Sequence, residues 1–158
     1  MALSQTLLKS RWVKGYMSLL FFFEKFIGPF LFLTVRIWMA RIYWDSGLTK
    51  IQSWPTTIML FKQVYKVPDI SPTLAAFLTT LVELSCPVLL VMGLATRLAS
   101  IPMLVVVLVI EFTFLARPEH LYWMMLLTLL ICYGPGTISV DFCLRKWLLG
   151  RDNKWKSL

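Results

Sequence analysis

Four apolar segments, at about residues 26–44, 72–95, 98–116 and 121–139, fill most of this 158-residue chain. Each is near the ~20 residues that cross a hydrocarbon layer as a helix. With 58% hydrophobic residues, 15% charged residues and a mean hydropathy of +0.73, the chain is not a water-soluble globule. A soluble domain of this size still exposes roughly 30% of its unfolded surface, and lipid is the solvent that accepts so much apolar area. The expected fold is all-α, a four-helix transmembrane bundle, because a helix satisfies its backbone polar groups internally.

Four crossings put both termini on one side. Lys9, Arg11, Lys14 and Lys25 precede the first segment, Arg97 sits in the link between the second and third, and Arg145, Lys146, Arg151, Lys154 and Lys156 follow the fourth. Basic loops face the cytoplasm, so both termini are expected to be cytoplasmic. The net charge of +8 then reports topology and anionic headgroups, and no nucleic-acid partner is expected. The expected organisation is a basic, amphipathic segment at 1–25, a membrane domain at 26–145 and a basic tail at 146–158. Met17–Phe23 is short for a signal sequence, is followed by Glu24 and Lys25 and lacks a small-x-small exit, so this segment is expected to stay; residues 3–23 are expected to lie along the inner face.

The connection at 45–71 is long and apolar. Ile58, Leu60, Phe61, Val64 and Tyr65 alternate with polar neighbours, Pro55 suits a first helical turn and Pro68 a stop. An interfacial helix is expected at 55–66, as a membrane-resting linker or a lid between spans one and two. Pro87 and Pro102 are expected kinks, and Gly134-Pro135-Gly136 a chain reversal.

Cys86, Cys132 and Cys143 form no Cys-x-x-Cys pair and no disulfide framework. With His120 as the single histidine, no metal site is expected.

Ionisable groups in hydrocarbon cost about 2.5–3.5 kcal/mol each on insertion scales and normally face the bundle. At about 1.5 Å per residue, Arg36 and Glu83 both fall near the midplane, and Arg41 and Glu111 both fall ~20 Å from the inner ends. Two interhelical ion pairs are therefore expected, Arg36 with Glu83 as a structural pair and Arg41 with Glu111, with Asp45 one turn after Arg41. These pairs either specify which helices meet or line a proton-coupled or anion-binding cavity open to the outer face. His120, Met124, Thr128 and Cys132 recur at four-residue steps and are expected to point inward.

Three blocks carry a family resemblance. Leu33-Thr34-Val35-Arg36 followed by Asp45-Ser46-Gly47-Leu48-Thr49-Lys50 resembles the first-span pattern of the DoxX family, with an arginine inside the helix and Gly-x-x-Lys at its end. Val82-Glu83-Leu84 leading to Met92-Gly93-Leu94-Ala95-Thr96-Arg97 is similar to that family's second span and link, and Gly134-Pro135-Gly136-Thr137-Ile138-Ser139-Val140-Asp141 to its terminal signature. The resemblance covers about residues 26–145 and implies a four-helix bacterial inner-membrane protein, related in outline to the small subunit of thiosulfate:quinone oxidoreductases.

The leading expectation is a membrane subunit of a redox complex that binds a quinone or similar lipophilic redox partner in an outer-half pocket. In it Glu111 and His120 are the candidate catalytic residues, with Glu111 carrying protons. Arg41, Asp45, Trp44 and Trp123 are the candidate binding residues, with Trp38 also near the ring. Electrons would come from a partner redox or maturation protein, since no flavin, haem or cluster motif is present. The rival is a non-catalytic anchor or assembly factor that recruits an enzyme. Transport of a small anion or lipid, as a homo-oligomer, is a third possibility.

Overall fold

The computed structural model describes residues 11–65, 70–113 and 117–155. Among them every regular element is helical. Helix α1, Arg11–Phe22, passes through a π-helical turn, Phe23–Ile27, directly into α2, Gly28–Gln52. Helix α3, Trp54–Leu60, has Pro55 in its first turn, where a missing N–H costs nothing, and runs into a second π-turn, Phe61–Tyr65. Residue 66 of the expected interfacial helix lies outside the described residues.

Helix α4, Pro72–Met92, starts at Ser71, whose hydroxyl accepts the Leu74 N–H, and ends at Gly93, which adopts φ 69°. The Leu94 N–H closes back on the Leu89 carbonyl at 3.0 Å, the usual way a left-handed residue ends a helix. Gly93 is doubly constrained, because a Cβ there would meet Ser139 Cβ at 2.6 Å and Arg36 Nη2 at 2.7 Å. Helices α5, Thr96–Thr113, and α6, Pro118–Tyr133, follow. Gly134, at φ 82°, reverses the chain as expected before α7, Val140–Trp155. Pro87 and Pro102 sit inside α4 and α5.

Four helices close a ring of neighbours: α2 packs on α4, α4 on α5, α5 on α6, and α6 on α2. Met39, Ala40, Tyr43, Cys86, Leu90, Ala99, Met103, Val107, Leu127 and Leu130 form the shared core. Between helices in lipid there is little hydrophobic drive, so close packing and hydrogen bonds hold them. Gly47 permits a close approach of α2 to α4, since a Cβ would lie 2.8 Å from Leu84 Cδ2 and 3.2 Å from Glu83 Cβ. The Tyr43 hydroxyl donates to the Met103 carbonyl at 2.8 Å and ties α2 to α5. A smaller cluster of Phe61, Ala75 and Ala76, flanked by Trp54 and Tyr65, seats α3 and its π-turn on α4.

Val13–Gln52 and Pro72–Met92 are each long and apolar enough to cross a membrane. Their outward side chains, among them Phe30, Leu31, Trp38, Phe77, Leu81 and Val88, are exposed apolar groups. In water such a surface would be an aggregation hazard.

The part of α2 that packs in the bundle begins later than the expected first span at 26–44. The buried face of α2 is Arg36, Met39, Ala40, Tyr43, Gly47 and Lys50, so the packed part starts about ten residues later. The apolar run before Arg36 masks that shift in the sequence, because it continues the helix outside the bundle. The α6 stripe is corrected too. Its inward residues are His120, Leu127 and Leu130, with Trp123 half-buried, while Thr128 and Cys132 are exposed. Four-residue steps advance by about 40° each beyond a full turn, so the series drifts off the face on which it begins.

Candidate functional site: two ionisable pairs beside a cavity

Ser46 and Lys50 stand one helical turn apart on α2, on the face that Gly47 brings against α4. There Lys50 Nζ lies 2.6 and 2.5 Å from the two carboxylate oxygens of Glu83 and 2.9 Å from Ser46 Oγ. Ser46 in turn lies 3.3 Å from Glu83 Oε1. Thr57 of α3 donates to the Lys50 carbonyl at 3.0 Å, so the interfacial segment closes over the pair. Lys50 is 9% exposed and Glu83 2%. Two charges so placed are tolerated only because each has hydrogen-bonding partners at short range. Tyr65 lies in the same neighbourhood, and burial, helped by the Glu83 charge, pushes its phenol above the ordinary range.

A second pair joins α5 to α6. His120 Nδ1 is 2.8 Å from Glu111 Oε2, which also accepts the Arg117 N–H at 3.3 Å. With Nδ1–H donated to the carboxylate, the neutral ring keeps Nε2 as its acceptor. Trp123, one turn further along α6, packs on the imidazole with ring centroids 5.1 Å apart.

Glu83 of the first pair lines a small cavity of about 120 Å³, and Trp123, which packs on His120 of the second pair, lines it as well. Tyr43, Ser46 and Glu83 line one side, Trp123 the other, and Val106 and Ile110 of α5 complete it. It has room for a few waters and polar groups to hold them. Beyond Val106 and Ile110 lies a groove of about 410 Å³ between α4, α5 and the π-turn, walled by Phe61, Tyr65, Ala75, Val82, Pro102 and Val105. The same two side chains line both spaces and so form the partition. Thr79 and Tyr65 are the groove's polar-bearing residues.

The expected ion pairs do not form. Arg36 is 1% exposed and donates to four backbone carbonyls: Nε to Leu90 at 2.7 Å, Nη2 to Val91 at 2.8 Å, and Nη1 to Pro135 at 3.0 Å and Ile138 at 2.7 Å. It closes the end of the bundle formed by the α4–α5 link and the Gly134 reversal rather than meeting Glu83, because the part of α2 that packs on α4 begins about ten residues later than expected. Arg41 does not meet Glu111. Its side chain is 79% exposed, and it faces Asp45, also exposed, at 3.8 Å, an arrangement that contributes little. Trp38 and Trp44 are exposed too; Trp44 and Arg41 line a shallow groove of about 440 Å³ with Ile37, Pro87 and Val88, on the outer side of α2 and α4.

Of the sequence candidates, the fold therefore gathers Glu111, His120 and Trp123, and leaves Arg41, Asp45 and Trp44 on another face. Tyr43, Ser46 and Lys50 were missed. Ending the first span at residue 44 placed Lys50 in a loop, although its one-turn spacing from Ser46 and the adjacent Gly47 were the available signal. Among the described residues no three His, Cys, Asp or Glu side chains converge as a metal site would need.

No curated protein and no solved structure matches the chain. The DoxX family model matches residues 31–116, a stretch that holds Arg36, Gly47, Lys50, Glu83, Arg97 and Glu111 and covers more than half of the sequence. With that match added to two helices fit to cross a bilayer, the protein is a membrane protein and belongs to the DoxX family.

Proposed function

We propose that this protein is the membrane subunit of a redox complex and that it holds a quinone-type molecule in the groove between α4, α5 and the Phe61–Tyr65 turn. The supporting observation is that an apolar groove of about 410 Å³ adjoins, across Val106 and Ile110, a cavity bearing the carboxylate of Glu83. That volume lies within the range of ordinary small-molecule sites, and the lining suits a lipophilic ring with an isoprenoid tail. The pocket is thus proposed on a different face from Arg41, Asp45 and Trp44. A bound quinone would supply two-electron chemistry accompanied by two protons, with the electrons coming from a partner redox protein. The chain's own residues would hold those protons: Glu83 beside Lys50 on one side, Glu111 beside His120 on the other, with Trp123 and the cavity between. Phe61 and Tyr65, whose rings lie 4.8 Å apart, would cover the groove and exclude water.

In this reading four helices cross a bacterial inner membrane, both termini face the cytoplasm and His120 lies toward the outer side. In a variant with all three native cysteines replaced, a cysteine at Glu119 is expected to react with an impermeant maleimide in intact cells. One at Arg145 is expected to react only after permeabilisation, and the reverse pattern would overturn the orientation.

The functional test uses protein purified from its own membrane. Solvent extraction followed by a borohydride difference spectrum is expected to show near-stoichiometric quinone. Val105→Trp, which fills the groove, is expected to remove most of it while leaving helical content unchanged. Glu111→Gln and His120→Ala are expected to retain quinone but slow turnover of the complex. Absence of quinone from the parent protein would leave the anchor reading, which has its own support in the exposed Tyr16, Phe21, Phe22 and Phe26 before the bundle.

A further inference from the structure

At the end of the bundle closed by Arg36, a cavity of about 560 Å³ lies between the α4–α5 link, the Gly134 reversal and the first turns of α7. Arg97 and Arg145 both line it. Asp141 lines it as well, but its two carboxylate oxygens accept the N–H groups of Ala95 at 2.8 Å and Thr96 at 3.1 Å. The carboxylate is thus engaged in capping α5, and among the described ion pairs neither arginine has a partner. The exposed Arg97 guanidinium lies against the Gly134 reversal, where a Cβ would come within 3.2 Å of Nε. The remaining walls are mostly apolar, with Thr137 among them, and open outward, with Leu98 and Phe142 exposed and Tyr133 75% exposed.

We infer that this cavity binds the phosphate of an anionic phospholipid. Two guanidinium groups suit phosphate oxygens, since each presents a planar fork of donors. Leu98, Tyr133 and Phe142 suit the glycerol and upper acyl region, where aromatic rings settle at headgroup depth. A free phosphate would use the arginines and leave the apolar walls idle, so the lipid is the occupant that satisfies both halves of the cavity. The inference is independent of the proposed quinone groove, which lies toward the other end of α4 and α5.

The test is native mass spectrometry of the detergent-purified, full-length protein, titrated separately with phosphatidylglycerol, phosphatidylcholine and inorganic phosphate. Phosphatidylglycerol is expected to bind at one saturable site at least about tenfold more tightly than phosphatidylcholine. The Arg97→Gln/Arg145→Gln variant is expected to lose that preference. Lys14→Gln/Lys25→Gln, which removes the same charge elsewhere, is expected to keep it. Arg145→Gln alone, which leaves Arg97 against Gly134, is expected to weaken binding by an intermediate factor and serves if the double variant does not fold. Equal binding of the two lipids, retention of the preference in the arginine variants, or saturation of the site by inorganic phosphate would each overturn the inference.

Discussion

Replacing Arg36 with Met is expected to destabilise the protein by at least ~3 kcal/mol, because hydrogen bonds to a charged group are worth about 1.5–3 kcal/mol each and four are lost together. The acceptors at Leu90 and Val91 belong to the last turn of α4, where the regular i+4 bonds run out, and the Leu90 carbonyl also accepts the Gly93 N–H at 3.1 Å. Those at Pro135 and Ile138 belong to the reversal after α6. The guanidinium thus caps one helix and anchors a loop with a single side chain. The expected loss is smaller than the sum of four bonds because a membrane-embedded unfolded state also finds partners. Arg36→Lys keeps the charge but offers three donors from one point, which cannot copy a planar fork, so an intermediate loss is expected. Denaturant titration in mixed micelles measures both variants, and a Met variant with the parent's midpoint would refute this role for Arg36.

The second large effect concerns Lys50 and Glu83. Removing one partner of a buried pair leaves the other charged and uncompensated, at a cost of about 3–5 kcal/mol. Glu83→Leu and Lys50→Met are each expected to fall in that range, whereas the double variant is expected to recover most of the lost stability. The interaction energy of the cycle should therefore be large, and strictly additive losses would show that the two side chains act separately. The double variant also separates structure from chemistry. If the pair serves only to hold α2 on α4, the refolded double variant keeps the activity of its complex; if Glu83 carries a proton, the fold returns and the activity does not.

The helical class, the α4 boundaries to within a few residues, the helix opening at Pro55 and the reversal at Gly134 were all legible, because apolar length, proline and glycine act locally. Partner choice was not. Arg36 and Glu83 were matched by depth, and depth was counted from a boundary that the apolar run before Arg36 concealed. Hydropathy reports which residues tolerate lipid and does not report where packing begins. Small residues do: Ala40 and Gly47 mark the packed face of α2, and a boundary drawn from them places Lys50 inside the bundle. For Arg41 and Glu111, equal depth said nothing of rotation about each helix, and in the fold Arg41 turns outward. The Glu111, His120 and Trp123 cluster was recovered because the short link between α5 and α6 forces their ends together whatever the rest of the bundle does.

The bonds of Arg36 also impose an order in time on biosynthesis. Ile138, one of its acceptors, is 102 positions downstream, which at about 5–20 residues per second is several seconds to tens of seconds of translation. Until that loop leaves the ribosome, a nascent chain with α2 and α4 already in the bilayer carries a guanidinium whose Nη1 acceptors do not yet exist. Membrane-bound chaperones and proteases would meet the protein in that interval, and chains arrested before Pro135 would keep the same unsatisfied group indefinitely. A single arginine thereby distinguishes a finished chain from an interrupted one.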